Sequence, residues 1–113
     1  MSASSTRIGA ITRHRGVSAC LLVSEEDGIV VEGTAQIGVS TAAFAALTAS
    51  LYRKSVRASA AAGFGVVSFF ELEAERGRVL AAGRGGLLMV AVAETRVNVG
   101  LLRVELLRAA ESF

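Results

Sequence analysis

The sequence STAAFAALTASLYRKSVRASAAA, from Ser40 to Ala62, decides the fold because it is long enough for a helix that crosses a whole domain. At 1.5 Å per residue, a helix of this length extends about 34 Å. We expect Ser40 or Thr41 to cap its N-terminus, and Gly63 and Gly65 to end it. With about 100° between successive residues, one stripe of the helix is apolar and is expected to face the core. The members of this stripe are Phe44, Leu47, Leu51, Ala58 and Ala62.

The opposite stripe is unusual because it has alanine where a surface helix normally has charge. Small residues at this spacing let a second helix approach closely, so the stripe predicts contact with a partner. The simpler explanation is that alanine is the best helix former. Arg53, Lys54 and Arg57 lie on or near this stripe, and they form either a solvated rim or a contact to an acidic partner. The alanines of the stripe are Ala42, Ala46, Ala49 and Ala60.

The composition indicates one domain that has an apolar interface. A chain of 113 residues can form a single hydrophobic core, and we expect one domain over residues 1–113. Hydrophobic residues make up 52% of the chain and charged residues 19%, so a monomer cannot hide all of its apolar surface. The net charge is only +2, and the arginines are scattered, without the interleaved aromatic residues that base stacking uses. Both observations argue against nucleic-acid binding.

Nothing in the sequence indicates export or a membrane span. The first residues lack a basic segment followed by an apolar one. The longest apolar run, Leu87 to Ala93, is far shorter than the roughly 20 residues that a spanning helix needs. The single cysteine, Cys20, excludes an intramolecular disulfide. We therefore expect a cytoplasmic protein.

No combination of residues predicts catalysis, a cofactor or a metal site. His14 is the only histidine and lies between two arginines, whose charge disfavours a metal ion. Cys20 lies in an apolar strand and is expected to be a buried core thiol. The glycines of 83–86 precede a strand, whereas phosphate-binding loops lie between a strand and a helix. Without a nucleophile, a base and an orienting group, the chain is expected not to be an enzyme.

The rest of the sequence predicts two helices and five strands. A weak helical pattern follows Ser4 or Ser5, and Thr95 or Asn98 caps a last helix. The run Leu87–Ala93 is apolar throughout, which places it in the middle of the sheet. The order α-β-β-α-β-β-β-α predicts an α+β fold in which helices cover an antiparallel sheet. The expected strands are 17–23, 29–32, 66–73, 78–82 and 87–93.

The last helix is apolar on two sides, so we expect it to pack against both the sheet and the first helix. One side consists of Val99, Leu102, Leu106 and Ala109, and the other of Val97, Leu101 and Val104.

Element order and local sequence together resemble the Roadblock/dynein light-chain family, in the bacterial form that regulates Ras-like GTPases. The resemblance extends over nearly the whole chain from Ile8 onward. It implies a five-stranded antiparallel sheet with the long helix on one face and the two terminal helices on the other, the profilin-like/Roadblock arrangement. The segments that show it are 16–23 (GVSACLLV), 27–30 (DGIV), 75–80 (ERGRVL), 87–92 (LLMVAV) and 98–106 (NVGLLRVEL).

The resemblance also implies a dimer, either with itself or with a Roadblock paralogue. Such domains associate through the long helix and the third strand, which joins two sheets into one. Pairing would also protect an apolar edge strand that otherwise risks aggregation. Val67 and Phe69 are expected on one face of this strand, opposite Val66, Phe70 and Leu72. The expected interface residues are Ala42, Ala46, Ala49, Arg53, Val56, Ala60, Val67, Phe69 and Glu71.

The function that the resemblance implies is a non-catalytic dimeric regulatory module that binds a Ras-like small GTPase and modulates its nucleotide cycle. Arg53, Lys54 and Arg57 are the expected GTPase-binding residues. The alternative is a structural dimeric scaffold within a larger signalling or motor complex, without an effect on GTP hydrolysis. The first helix departs from the family pattern because it is short and weakly apolar, which leaves room for a further contact on the last helix.

Overall fold

The computed structural model describes residues 2–113, which form three helices and five strands in the predicted order. The strands make one antiparallel sheet with the spatial order β2-β1-β5-β4-β3. The α+β fold predicted from the sequence is confirmed. The helices are α1 (Ala3–Thr12), α2 (Thr41–Ala61) and α3 (Val99–Glu111), and the strands are β1 (Val17–Ser24), β2 (Val30–Ala35), β3 (Phe69–Ala74), β4 (Gly77–Arg84) and β5 (Leu87–Ala93).

The apolar strand β5 lies in the middle of the sheet, as predicted. Its side chains alternate between two hydrophobic clusters, one on each face. Met89 and Ala91 pack beneath α1 and α3, whereas Leu88 and Val90 pack beneath α2. The long helix therefore covers one face of the sheet, and the two terminal helices cover the other.

Polar side chains cap both terminal helices. The hydroxyl of Ser2 accepts a hydrogen bond from the backbone of Ser5 at 3.0 Å, so α1 begins earlier than the predicted caps at Ser4 or Ser5. Asn98 caps α3 by accepting from the backbone N–H of Leu101 at 3.0 Å. Ser40 occupies the N-cap position of α2, and Gly63 follows this helix with a φ of 73°.

Four of the five predicted strands have different bounds in the structure, whereas β5 has the predicted ones. A turn over residues 25–28 separates β1 from β2, and the N–H of Ser24 donates to the carbonyl of Ile29 at 2.9 Å across it. The strand β3 starts three residues later than predicted. Just before it, the carbonyl of Val67 accepts a hydrogen bond from the Tyr52 hydroxyl at 2.7 Å, which ties this segment to α2.

The second apolar side of α3 is only partly covered. Ile8 and Ile11 of α1 are buried in the same cluster as Leu102 and Leu106. However, Leu101 is 44% exposed and Val104 is 43% exposed. Helix α3 therefore packs against the sheet and α1 as predicted, and the expected open part of its second side consists of these two residues, because α1 is short and contributes only two buried isoleucines.

Candidate protein-interaction surface

The face of α2 that packs against the sheet is made of small residues and one tyrosine. Its buried residues are Ala45, Thr48, Ala49 and Tyr52. Alanine at these positions lets the helix backbone come close to the sheet. At Gly28 in the β1–β2 turn, even an added Cβ atom would lie only 3.1 Å from the Cα atom of Ala46.

The apolar stripe predicted to face the core lies largely outside it, and this prediction is wrong. Of the five residues in that stripe, only Phe44 packs against the cluster beneath α2. Leu47 is 44% exposed, Leu51 is half-buried outside both clusters, and Ala58 and Ala62 are exposed. Periodicity places large apolar residues in a core, but here the close helix–sheet approach selects small residues for the buried face.

The leucine side of α2 faces the edge strand β3. Phe44 and Leu47 line a common cavity with Leu72 and Ala74, which belong to the second half of β3. We call Leu47, Leu51 and Ala58 together with strand β3 the α2–β3 surface. Apolar residues and a strand edge thus lie side by side on the outside of the molecule.

Alanine residues of the opposite stripe have two different environments. Ala42, Ala46 and Ala60 are exposed, as their place in a predicted interface requires, and Val56 is half-buried against the core. Ala49 has no exposed surface. Its assignment to an interface is wrong, because it lies on the side of α2 that packs against the sheet.

The stripe is also separated from β3 along part of its length. Ala46 lies beside Gly28, and the guanidinium of Arg53 donates to the carbonyl of Glu25 at 2.6 Å. Both neighbours belong to the β1–β2 turn, whereas β3 lies next to the leucine side. A contact built on β3 would therefore involve the leucine side of α2 rather than Ala46 and Arg53.

Strand β3 forms one edge of the sheet, and among residues 2–113 it is hydrogen-bonded only to β4. Val67 packs on the α2 side and Phe69 on the α3 side, so the prediction that they share a face is wrong. The reason is that Val67 precedes the regular strand. On the α3 side, the guanidinium of Arg103 lies 4.8 Å from the centre of the Phe69 ring.

Charged residues lie on the same face of β3 as Phe69. Arg78 on β4 forms ion pairs with Glu71 and Glu73, each at 2.7 Å. These pairs are partly exposed and contribute little to stability, but they neutralise two acids on the edge strand. Pairing of two copies of this strand would otherwise bring like charges together.

The other edge strand, β2, is less suited to pairing. Its register with β1 shifts between Leu22 and Val23, and irregularities of this kind discourage further strand addition. Helix α1 also lies beside β2, where the Ser5 hydroxyl donates to the carboxylate of Glu32. We therefore regard β3 as the more accessible edge.

The three predicted GTPase-binding residues are not equivalent. Lys54 and Arg57 are exposed on the outer side of α2. Arg53 is half-buried and is held by its hydrogen bond to the β1–β2 turn. Only Lys54 and Arg57 are free to reach a partner without breaking a contact within the domain.

The titratable groups of the core have no arrangement typical of catalysis. Burial raises the pKa of the Cys20 thiol from 9.0 to about 12, which disfavours the reactive thiolate. Burial, and then the charge of Glu25, raises the pKa of Tyr52, while a hydrogen bond to the backbone of Gly83 opposes the shift. Over residues 2–113, no three His, Cys, Asp or Glu side chains come together as metal ligands would. None of the helices there has the length and apolarity needed to cross a membrane.

The connection between α2 and β3 contains two exposed apolar residues that the sequence patterns do not predict. Phe64 is 85% exposed and Val66 is 95% exposed, and both belong to the connection between α2 and β3. The glycines on either side of Phe64 have positive φ angles, of 73° for Gly63 and 88° for Gly65. These glycines were the available signal, because they indicate a turn, and a turn leaves its apolar side chains at the surface.

The fold and the surface define an α+β domain with a helix and a free strand edge on one outer side. This is the Roadblock/LC7 fold, and the resemblance predicted from the sequence is confirmed. A crystal structure of a Roadblock/LC7 domain from Streptomyces avermitilis is similar, with a TM-score of 0.84 and 19% identity over 95% of this chain and 91% of that one.

Structures of MglB are similar to the same degree. Myxococcus xanthus MglB has a TM-score of 0.84 and 17% identity, over 98% of this chain and 91% of that one. A structure of MglB with a tetrameric arrangement has a TM-score of 0.83 and 18% identity, over 99% of this chain and 88% of that one. In sequence, an uncharacterized protein of Methanocaldococcus jannaschii is 26% identical over 101 residues, covering 89% of this chain and 88% of the relative. No protein-family model matches the chain.

Proposed function

We propose that this chain is a non-catalytic, dimeric regulatory module of the cytoplasm that binds a Ras-like small GTPase and modulates its nucleotide cycle. The observation that supports this best is the outer side of α2, where the exposed Leu47, the half-buried Leu51 and exposed basic residues lie on one helix of a Roadblock fold. In bacterial Roadblock domains, which the sequence resembles, the long helices provide much of the docking platform for GTPases.

The two kinds of residue on α2 would serve two contacts. The leucine side adjoins β3, and a second copy bound there would bury Leu47 and Leu51 together with the strand edge. Lys54 and Arg57 would then stay accessible on the outer surface of the paired helices. A basic platform of this kind attracts an acidic partner surface and speeds its association.

Modulation of the nucleotide cycle would not require a residue of this chain at the reacting phosphate. An arginine that stabilises the transition state must enter the GTPase site, and no arginine of this chain can be assigned to that role. We therefore propose that binding orders the catalytic residues of the GTPase itself. Its effect on hydrolysis would depend on which nucleotide-bound state the dimer prefers.

The test is a binding titration against purified Ras-like GTPases of the same organism, loaded with GDP or with a non-hydrolysable GTP analogue. We expect one nucleotide state of a cognate GTPase to bind more tightly than the other. Reversing both outer charges, with Lys54→Glu and Arg57→Glu, should weaken this binding about tenfold or more, because like charges would then face each other.

A matched control is the double variant Arg96→Glu and Arg108→Glu, which changes the net charge by the same amount. Arg96 precedes α3 and Arg108 lies on it, on the opposite side of the sheet from α2. Both arginines are exposed, so neither variant should unfold the domain. Equal affinity of the Lys54/Arg57 variant and the wild-type protein would contradict the proposed platform. A failure of every Ras-like GTPase to bind would contradict the function.

A structural scaffold is the second candidate, and the exposed apolar residues of α3 favour it. Leu101 and Val104 leave a site for a further protein on the face away from α2. In that case GTP hydrolysis would proceed at the same rate with and without the dimer. The hydrolysis rate of the bound GTPase therefore separates the two candidates.

A further inference from the structure

The connection between α2 and β3 presents a phenylalanine to solvent in a fixed geometry. The N–H of Phe64 donates to the carbonyl of Ser59 at 2.9 Å, and the hydroxyl of Ser59 donates to the carbonyl of Gly65 at 2.7 Å. These bonds close the end of the helix and hold the turn. Because the backbone of this turn is already held, only the Phe64 side chain itself has to be ordered when it binds a partner.

At the other end of α2 lies an apolar cavity of about 460 Å³. Phe44 and Leu47 form one wall, and Leu72 and Ala74 at the end of β3 form another. An apolar cavity of about 150 Å³ is enough to bind a benzene molecule. The space between these side chains can therefore accept a phenyl ring.

The exposed phenylalanine cannot enter the cavity of its own chain. Phe64 lies 17 residues beyond Leu47, and α2 extends over the first 14 of them, so at 1.5 Å per residue about 21 Å of helix separates the two. Helix α2 and strand β3 run in opposite directions, since the start of α2 meets the end of β3 at this cavity. The projecting side chain and the cavity thus lie at opposite ends of one layer.

This arrangement is complementary to itself under a two-fold rotation. An axis through the middle of the α2–β3 surface exchanges the two ends of the layer, so each Phe64 approaches the cavity of the other copy. The same rotation sets the free edges of the two β3 strands antiparallel, so that the start of one strand, which follows Val66, lies near Ala74 at the end of the other. Each copy has one projecting phenylalanine and one cavity, and both are used within a dimer. No third subunit is therefore needed to complete the contacts.

We propose that the Phe64 side chain of each subunit occupies the cavity that Phe44, Leu47 and Leu72 form in a second copy of this chain. This inference rests on the dimer of the proposed function, and it adds the residue that anchors each half and the pocket that receives it. The cavity is completed by the partner, and Phe64 is the aromatic anchor at each end of the interface.

The first test is the effect of Phe64→Ala on the dissociation constant of the dimer, measured by analytical ultracentrifugation. Truncating an aromatic residue that is buried in a pocket of the partner weakens an interface about 30-fold, and a symmetric dimer contains two such contacts, so we expect an increase of about 10³-fold. Ile29→Ala is the control, since Ile29 is 62% exposed beside the β1–β2 turn and should leave the constant unchanged. Phe64 is exposed, so its truncation should not unfold the monomer.

The second test is chemical cross-linking of differently tagged chains that contain Val66→Cys or Ala74→Cys, with a short bismaleimide. Both positions are exposed, whereas the native Cys20 is fully buried and should not react. We expect a covalent heterodimer from this pair and none when Leu101→Cys replaces Ala74→Cys. A wild-type monomer would overturn both the inference and the dimer. A wild-type dimer that is unaffected by Phe64→Ala and gives no Val66–Ala74 product would overturn the inference alone.

Discussion

Truncation of Leu47 to alanine tests whether the leucine side of α2 is buried by a second copy. Complete burial of a leucine side chain contributes about 1.5–3 kcal/mol. Leu47 is 44% exposed in the single chain, so self-association can hide only that part of it, which is worth about 1 kcal/mol per subunit. A symmetric dimer loses this twice, and about 2 kcal/mol corresponds to an increase of about 30-fold in the dissociation constant.

The chain contains a matched control for this change. Leu101 is also 44% exposed, but it lies on α3, on the opposite face of the sheet. Sedimentation equilibrium across a dilution series should therefore give a weakened dimer for Leu47→Ala and an unchanged one for Leu101→Ala. Equal dissociation constants for the two variants would refute the assignment of the interface to the α2–β3 surface.

Three further predictions concern the core. Ala49→Glu should unfold the domain rather than yield a folded monomer, since a buried unpaired carboxylate costs several kcal/mol. The control is Ala46→Glu, which changes an exposed position and should keep the urea midpoint of the wild-type protein. Gly83→Ala should lower the free energy of unfolding by about 1–3 kcal/mol, because the new Cβ atom would lie 2.6 Å from Cζ of Tyr52; thermal melts of this variant and the wild type would measure the loss. For Cys20, the folded protein holds the thiol proton more tightly than the unfolded chain, since burial raises its pKa to about 12. The contribution of this thiol to the free energy of unfolding is complete below pH 9 and is lost as the pH rises toward 12, by about 1.4 kcal/mol per pH unit. The free energy of unfolding of Cys20→Ala, measured in urea, should therefore depend less on pH in this range than that of the wild-type protein.

Much of the fold follows from sequence patterns that have only one interpretation. The uninterrupted apolar run of β5 requires cover on both faces and so defines the centre of the sheet. The start of α3 is marked by Thr95 or Asn98 before an apolar helical pattern, and the structure shows the Asn98 side chain as the cap. Local signals of this kind do not depend on the rest of the chain.

The orientation of α2 could not be predicted because two of its sides are compatible with burial. A stripe with leucine usually faces the core, but the sheet leaves so little space here that Ala45 and Ala49 occupy the contact. Which stripe is buried depends on the distance between helix and sheet, and that distance is set by residues far away in sequence, such as Gly28. Periodicity within one helix contains no information about it.

The missed Phe64 illustrates a second limit. A phenylalanine in a sequence is normally assigned to a core, and only the full backbone path shows that this turn leaves it outside. The sequence predicts Arg53, Lys54 and Arg57 as one basic group, whereas the hydrogen bond that occupies Arg53 depends on the position of the β1–β2 turn.

The most direct test of the central claim is the mass of the pure wild-type protein by light scattering after size exclusion, over a range of micromolar concentrations. Self-association through the α2–β3 surface predicts twice the mass of the single chain at the higher concentrations. A single-chain mass at every concentration would contradict it, because the exposed leucines and the free edge of β3 would then have no second copy to cover them.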